Sequence, residues 1–318
     1  MINLSYGSAI EIGLVNASMD INPTTAYIMI GNGCENKCAF CSQSIESTSR
    51  KDKLSRVLWP KFSKDDILVS LLNYNRGNIK RICVQAMGTN EALEASKEFI
   101  KYIKPSLEFP ISLSAKVETE EEMKNLFDIG VDKVGLAIDA ANKELYEKIK
   151  GKNFDGKVQF IKKMGNRYKN KISTHIIVGL GESHEDIFDL YQDLISNNVT
   201  ISLFAFTPIK GTKLENEKQP SIQDYRKIQL MTYLIKCGYK KENFEFVNRE
   251  LKCINNINPK ENDDIKRGVP FLISGCTDCN RPYYNERPGG TIYNYSRQLT
   301  DKECLKAISE LGMNIEVI

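Results

Sequence analysis

Gly33-Cys34-Glu35-Asn36-Lys37-Cys38-Ala39-Phe40-Cys41-Ser42-Gln43-Ser44 is the stretch that decides how the rest of the chain reads. Three residues separate the first two cysteines, and two separate the second from the third. That spacing lets one short loop wrap three thiolates round a single iron–sulfur cube. Such a cube has four irons, so three thiolates leave one open to bind a small molecule and pass it an electron. A zinc knuckle or a buried cysteine cluster is the alternative on residues alone. Zinc calls for a fourth ligand close by, and neither His175 nor His184 is near in sequence.

Working outward, Thr25–Ile30 is a strand that feeds directly into this loop. Further strands are predicted at Ile82–Ala86, Ile111–Ala115, Lys133–Ile138, Ile172–Val178 and Ile201–Phe206. Helical patterns lie around and between them: Lys64–Leu72, Glu91–Ile103, Glu120–Asp128, Lys143–Ile149, Lys157–Met164 and Glu185–Ile195. Each strand–helix unit spans about 30 residues, and such alternation predicts an α/β fold with a parallel sheet. Six units fit an open, partial (β/α)6 TIM-type barrel. A complete eight-unit barrel and a doubly wound open sheet are the neighbouring solutions. Ligands then belong at the carboxyl ends of the strands, where the cysteine loop lies.

After Pro208 the pattern changes. Ile222–Cys237 reads as a helix and Glu242–Val247 as a short strand. Asn255–Arg267 reads as a polar irregular loop, Val269–Ile273 as a compact strand-like run, and Asp301–Leu311 as a closing amphipathic helix. The stretch Arg281–Arg297, rich in Tyr, Asn, Arg, Pro and Gly, is expected to be non-helical. The division is therefore a barrel over 1–240 and a C-terminal cysteine-containing extension over 241–318.

The chain has 318 residues, a net charge of only +3, and interleaved acids and bases, which argues against an electrostatic nucleic-acid surface. No apolar run reaches the roughly 18 residues of a membrane helix, and the N-terminus lacks signal-peptide character. A soluble, cytoplasmic protein is expected. Nine cysteines in that compartment point to metal rather than disulfides.

With the aromatic Phe40 just before its last cysteine, the loop resembles the signature of the radical S-adenosylmethionine (SAM) superfamily. The resemblance implies a partial barrel, a [4Fe–4S] cluster on Cys34, Cys38 and Cys41, and SAM chelated by the open iron. It further implies reductive cleavage of SAM to methionine and a 5′-deoxyadenosyl radical. Phe40 would then place its backbone near the adenine. Gly88 and Thr89, ending the second strand, hold the place of the family's glycine-rich segment that meets the SAM amino group, without its acid. Ser114 and Lys116, ending the third strand, suit the ribose or the methionine carboxylate, though Lys116 also fits a solvated loop. Val178-Gly179-Leu180-Gly181-Glu182 resembles the adenine-binding segment; a simple turn is the other reading of Gly179 and Gly181. Phe206–Leu214 resembles the biotin synthase-like branch, so the likeness runs roughly over 25–240.

A second pair, Cys276-Thr277-Asp278-Cys279, follows a glycine, with Cys253 upstream. These three could hold an auxiliary iron–sulfur cluster; structural zinc or free thiols are the alternatives. Cys83 lies in a predicted strand and could be a cavity ligand instead. Cys237 and Cys304 fall in helical patterns, as small buried hydrophobes do. In sulfur-inserting members of the family an auxiliary cluster is consumed as the sulfur source. The Gly-Cys-x-x-Cys-Asn-Arg-Pro-Tyr-Tyr-Asn segment looks closest to biotin synthase-like proteins that act as a two-component lipoyl synthase. The expectation is thus a sulfurtransferase acting on a protein-bound octanoyl chain. Its partners would be an octanoylated carrier protein, a second radical SAM component, and a ferredoxin or flavodoxin as electron donor. A rearrangement or maturation enzyme, like methylornithine synthase or the hydrogenase maturase, is the alternative; a non-catalytic metal scaffold is the third. Tyr283, Tyr284, Tyr293, Tyr295, Arg281, Arg287 and Arg297 are candidate substrate or partner contacts.

Overall fold

The computed structural model describes residues 2–286 and 289–317. The chain opens with β1 (Ile2–Leu4), α1 (Tyr6–Glu11) and β2 (Thr25–Ile30). Short strands β3 (Lys53–Leu54), β4 (Val57–Leu58) and β5 (Lys61–Phe62) follow the cysteine loop. Then come α2 (Lys64–Leu72), β6 (Arg81–Ala86), α3 (Asn90–Ile103), β7 (Ile111–Ser114), α4 (Glu120–Asp128), β8 (Lys133–Gly135), α5 (Lys143–Ile149), α6 (Phe154–Arg167), β9 (Ile172–Val178), α7 (His184–Ser196) and β10 (Val199–Ala205). The remainder is α8 (Ile222–Lys236), β11 (Phe244–Val247), β12 (Glu250–Ile257), α9 (Pro259–Lys266), α10 (Asp301–Ser309) and β13 (Asn314–Val317).

The main sheet has the order β10-β9-β8-β7-β6-β2-β1-β5. Its six long members, from β10 to β2, are all parallel, and β1 adds an antiparallel edge. The ends are not paired with each other, so this is the expected partial barrel. A parallel sheet covered on both faces reads as continuous apolar runs. Here only one face does: Ile28, Ile82, Val84, Leu113, Val134, Ile176 and Ile201 are fully buried in the core under the helices. The alternate residues include Tyr27, Arg81, Cys83, Gln85, Ser112, Ser114, Lys133, Ser173, His175, Thr200 and Ser202, with Met29, Ile177 and Phe204 the apolar members. That set cannot pack as a core, so the inner face lines a site.

Helices begin where the sequence supplies caps. Thr119 with Glu122 and Ser183 with Asp186 form capping boxes, and Ser63, Thr89, Asn142 and Ser221 cap other helices. The strand predicted at Lys133–Ile138 ends at Gly135 instead. Asp139 adopts a left-handed conformation (φ 65°), which takes the chain out of the regular ladder.

The extension departs further from expectation. Asn255–Arg267 is not irregular: β12 runs to Ile257, and α9 starts with Pro259 in its first turn. A largely polar helix leaves little apolar periodicity to read. Val269–Ile273 is a 3-10 turn over Val269–Phe271, because Pro270 has no N–H for a ladder. The strands β11, β12 and β13 form a separate small sheet. Residues 272–286 then return to the barrel. Ser274 Oγ accepts from Leu203 N on β10 (2.9 Å), and Arg281 N–H donates to the Tyr27 hydroxyl on β2 (3.0 Å). The extension thus fills the gap between the first and last parallel strands.

Candidate functional site

At the carboxyl end of β2 the chain turns through Gly31 and Gly33, both at positive φ, into the cysteine loop. A Cβ on Gly31 would lie 2.7 Å from the Met87 side chain, so only glycine allows this approach. The loop is tied on two sides. Ala39 N–H donates to Ile149 O at the end of α5 (2.7 Å), and Leu214 N–H donates to Ala39 O (3.2 Å). The Phe206–Leu214 segment therefore buttresses the loop: Thr48 N–H also donates to Gly211 O (2.9 Å). Burial pushes the Cys38 thiol up to about 12 and the Cys41 thiol to about 11, with Cys34 among the like charges acting on both. Apolar surroundings resist bare thiolates at Cys38 and Cys41; a bound cationic metal centre removes that penalty by replacing the protons. Three thiols on one clamped loop, each within electrostatic reach of the others, fit the trithiolate of an iron–sulfur cube.

Beside them lies a network the sequence did not single out. Asp139 is buried; its carboxylate pairs with Lys150 Nζ and with His175 Nε2 (2.5 Å), and Lys150 also donates to Ala137 O (2.6 Å). Burial by itself pushes that carboxyl up, but Lys150 and then His175 outweigh it and hold Asp139 well below the usual range. Lys157 is pulled down to about 8 by burial and by Lys150. Lys150 and Asp139 lie within electrostatic reach of Cys38, and Asp139 also of Cys41. Of these groups only His175 lies on a strand, where a polar residue among apolar neighbours was the one sequence signal.

The other expected SAM-contacting residues fall as follows. Phe40 is half-buried against the main core. Gly88 backs the cysteine loop: a Cβ there would lie 2.8 Å from Cys34 Sγ and 2.3 Å from Asn36 Nδ2. Thr89 caps α3, accepting from Ala92 N–H (3.1 Å). Ser114 lies on the inner face at the end of β7. Lys116 is partly exposed and 3.6 Å from Glu118. Gly179 and Gly181 have positive φ, and the Glu182 carboxylate accepts from Gly179 N–H (2.6 Å) and Leu180 N–H (3.0 Å), so this loop is folded round its own acid.

A second thiol group occupies the opposite, amino end of the strands. The Cys276–Cys279 turn is pinned under β2 and β6. Thr24 Oγ1 donates to Asp278 O (2.5 Å), Thr24 N–H to Asn280 Oδ1 (2.9 Å), and Arg81 Nη1 to Thr277 O (2.8 Å). A Cβ on Gly275 would lie 2.0 Å from Ser202 Oγ, which explains the glycine before the pair. Cys253 is not brought to this turn. It sits in β12 of the small sheet, paired in register with Glu245 and Asn314 and bonded to Asn255 Oδ1 (3.0 Å). The thiol that does approach the pair is Cys83, which packs with Cys279 against one apolar cluster and feels the charges of Cys279 and Cys276. Sequence distance concealed this, because strand order and not chain order decides what faces the interior.

Of the aromatic and arginine residues in the tail, two turn to Phe204 on the inner face of the sheet. The Arg281 guanidinium lies 4.1 Å over the Phe204 ring and donates to Ser274 O (2.8 Å). Tyr284 meets Phe204 edge-on at 5.2 Å, within electrostatic reach of both Cys41 and Cys83. Tyr283 faces Asp20 at the surface (3.4 Å). Tyr293 packs edge-on against Tyr225 and Tyr295 lies under the Arg226 guanidinium, both partners on α8, and Arg297 pairs with Glu303. Arg287 lies outside the described residues. Among the described residues no helix is long and apolar enough to cross a membrane.

Residues 28–194 match the radical SAM superfamily. An uncharacterized protein of Methanocaldococcus jannaschii is 30% identical over 221 residues, 66% of this chain and 56% of that protein. The biotin synthase of Persephonella marina is 26% identical over 201 residues, 61% of this chain and 57% of its own. The chain thus spans little more than half the length of these curated relatives. Among solved structures, methylornithine synthase superposes with a TM-score of 0.52 at 15% identity, covering 92% of this chain and 70% of that one. HydG, a maturase of the [FeFe]-hydrogenase, superposes with a TM-score of 0.57 at 15% identity, covering 92% and 63%.

Proposed function

The chain belongs to the radical SAM superfamily, and from that membership we propose that it inserts sulfur into an unactivated C–H bond. When bound, the [4Fe–4S] cluster and SAM supply a 5′-deoxyadenosyl radical that abstracts a hydrogen atom from substrate. Cys34, Cys38 and Cys41 hold that cluster at the mouth. Asp139, fixed by Lys150 and His175, offers a charged acceptor beside it for hydroxyl or ammonium groups. Tyr284 and Phe204, edge-on to each other on the inner face, would exclude water from the reacting carbon. A second cluster at the Cys276–Cys279 turn is the sulfur donor in this reading.

The observation that carries it is the relation between the two thiol groups. One lies beyond the carboxyl ends of the strands and the other at their amino ends, both opening onto the same polar inner face. Cys83 is three residues from the carboxyl end of β6, about 10 Å along a strand. A substrate carbon between the two ends is within reach of both. The substrate we propose is an octanoyl chain on a carrier-protein lysine. A second radical SAM component would add the other sulfur, and a ferredoxin or flavodoxin would deliver electrons.

The test is anaerobic turnover of the reconstituted chain with SAM, dithionite and an octanoyl-lysyl peptide, read by mass spectrometry. The expected product carries one added sulfur, with matching loss of protein-bound sulfide. Production of 5′-deoxyadenosine with no sulfur in any product would sink sulfur insertion and leave a rearrangement or maturation reaction.

A further inference from the structure

One ammonium group gathers the chain that leaves the cysteine loop. Lys51 Nζ donates to three carbonyls: Ser42 O (3.2 Å), Ser44 O (3.0 Å) and Ser47 O (3.2 Å). A lysine has three N–H donors, so all are engaged. Loop side chains answer in the other direction. The buried Gln43 donates through Nε2 to Lys51 O (3.0 Å) and Lys53 O (2.6 Å), and the buried Ser42 hydroxyl donates to Lys53 O (3.0 Å). Residues 42–47 and 51–53 thus form a reciprocal clamp immediately after Cys41. The neighbouring acid Asp52 is taken by Arg50 (3.0 and 2.5 Å), and Lys51 gives its protons to carbonyl dipoles.

Two of those carbonyls belong to peptide groups whose N–H ends turn back into the loop. The peptide joining Ser42 to Gln43 accepts from Lys51 at its oxygen and donates from its nitrogen to Cys41 Sγ (3.4 Å). The peptide joining Ser44 to Ile45 also accepts from Lys51 and donates to Asn36 O (3.1 Å), between Cys34 and Cys38. Hydrogen bonds in series polarise one another, so a cation on the C=O end makes the N–H end a stronger donor. Burial pushes the Cys41 thiol up, and the Gln43 N–H pulls against it. Lys51 itself lies at the surface, where water and salt screen its charge through space. The Ser42–Gln43 peptide is the short route by which that charge reaches sulfur.

We propose that Lys51 is a positioning residue that tunes the first cluster through the Ser42–Gln43 peptide, strengthening the N–H bond to the Cys41 sulfur and raising the cluster's reduction potential. Hydrogen bonds to ligand sulfur are a lever on iron–sulfur potentials, and a partner outside the ligand shell tunes a metal it never touches. Such bonds favour the reduced, more negative cluster, so the lysine makes it easier to reduce. The inference rests on the cluster assigned above to Cys34, Cys38 and Cys41, and is independent of sulfur insertion.

A redox titration of the anaerobically reconstituted full chain, followed by electron paramagnetic resonance, tests this. A Cys276→Ala, Cys279→Ala background confines the signal to the first cluster. Lys51→Met removes charge and donors, Lys51→Gln removes the charge but keeps two N–H donors, and Lys51→Arg keeps both. At a fixed potential the reduced-to-oxidised ratio should fall at least about threefold in the Met and Gln variants, a midpoint about 28 mV more negative. Lys51→Arg should stay within about half of that shift. Where a variant holds less iron, the midpoint is read on the cluster that remains. Wild-type midpoints in the Met and Gln variants overturn the proposal even if iron is lost, since a merely structural clamp releases iron without moving the potential. A shift as large in Lys51→Arg as in Lys51→Met overturns it too. A chain that binds no cluster on Cys34, Cys38 and Cys41 would sink that assignment and the lysine's role together, whereas an unmoved midpoint sinks the lysine's role alone.

Discussion

Tyr27 and Cys279 are 252 positions apart in sequence, yet the tyrosine oxygen lies 3.4 Å from the cysteine sulfur. The same oxygen accepts the Arg281 backbone N–H at 3.0 Å. One phenol on the first barrel strand therefore docks the returning C-terminal segment and touches a thiol within it. Burial, followed by Cys279 itself, raises the phenol well above its ordinary value, so it stays protonated and available as a donor.

Replacing Tyr27 by Phe removes both contacts and keeps the ring. The expected cost is about 1–2 kcal/mol, because the Arg281 N–H is left without its acceptor. The effect should be local: limited proteolysis should cut the 272–286 segment faster in the variant, while the electron paramagnetic resonance signal of the first cluster with SAM stays unchanged. Equal protection of that segment in both proteins would contradict the docking role.

The two thiol groups should separate functionally. Cys38→Ala should abolish 5′-deoxyadenosine formation, since the loop then offers one ligand fewer. Cys276→Ala with Cys279→Ala should still cleave SAM but yield no sulfur-containing product. Chromatography of 5′-deoxyadenosine beside mass spectrometry of the peptide reads both outcomes. Full sulfur transfer by the double variant would exclude the C-terminal turn as the donor site.

Gly88 supports the first loop from behind. A methyl group there meets Asn36 Nδ2 and Cys34 Sγ well inside contact distance, so Gly88→Ala must shift the loop. Overpacking of this kind costs about 1–3 kcal/mol. Iron should leave the variant faster under an anaerobic chelator, and a urea titration should show the stability loss. Unchanged iron release would mean that the loop tolerates the displacement.

Asp139 ties acid stability to the mouth of the barrel. Its folded carboxyl titrates below the ordinary range, so the unfolded chain binds the proton more tightly. Its contribution to stability is therefore complete above about pH 5 and is lost progressively as pH falls through the unfolded value of about 3.9 toward the lower folded one. Asp139→Asn leaves Lys150 buried without its counter-charge, and the expected loss at pH 7 is about 3–5 kcal/mol. Denaturant midpoints from pH 3 to 7 should slope less steeply in the variant than in the wild type. Parallel slopes would assign the acid sensitivity to other carboxylates.

Much of the barrel was legible because its signals are local. Thr25–Ile30, Ile172–Val178, Lys64–Leu72 and Glu120–Asp128 occupy the predicted bounds, since an apolar run or a capped amphipathic stretch carries its own period. The extension was harder to read. Helix α9 has almost no apolar face, and Pro270 turned a strand-like run into a turn. Strand β8 was overextended because nothing in Leu136–Asp139 announces a left-handed aspartate.

By itself the sequence determined the alternating fold, the three-cysteine loop after the first parallel strand, and the existence of a C-terminal cysteine pair. Each depends on spacing within one short segment, which a chain expresses wherever it folds. Only the tertiary structure decided that the pair meets Cys83 and not Cys253, and that Asp139 is clasped by Lys150 and His175. Those contacts depend on which strands are neighbours and on the register between them. Register turns alternate residues of distant segments toward one interior.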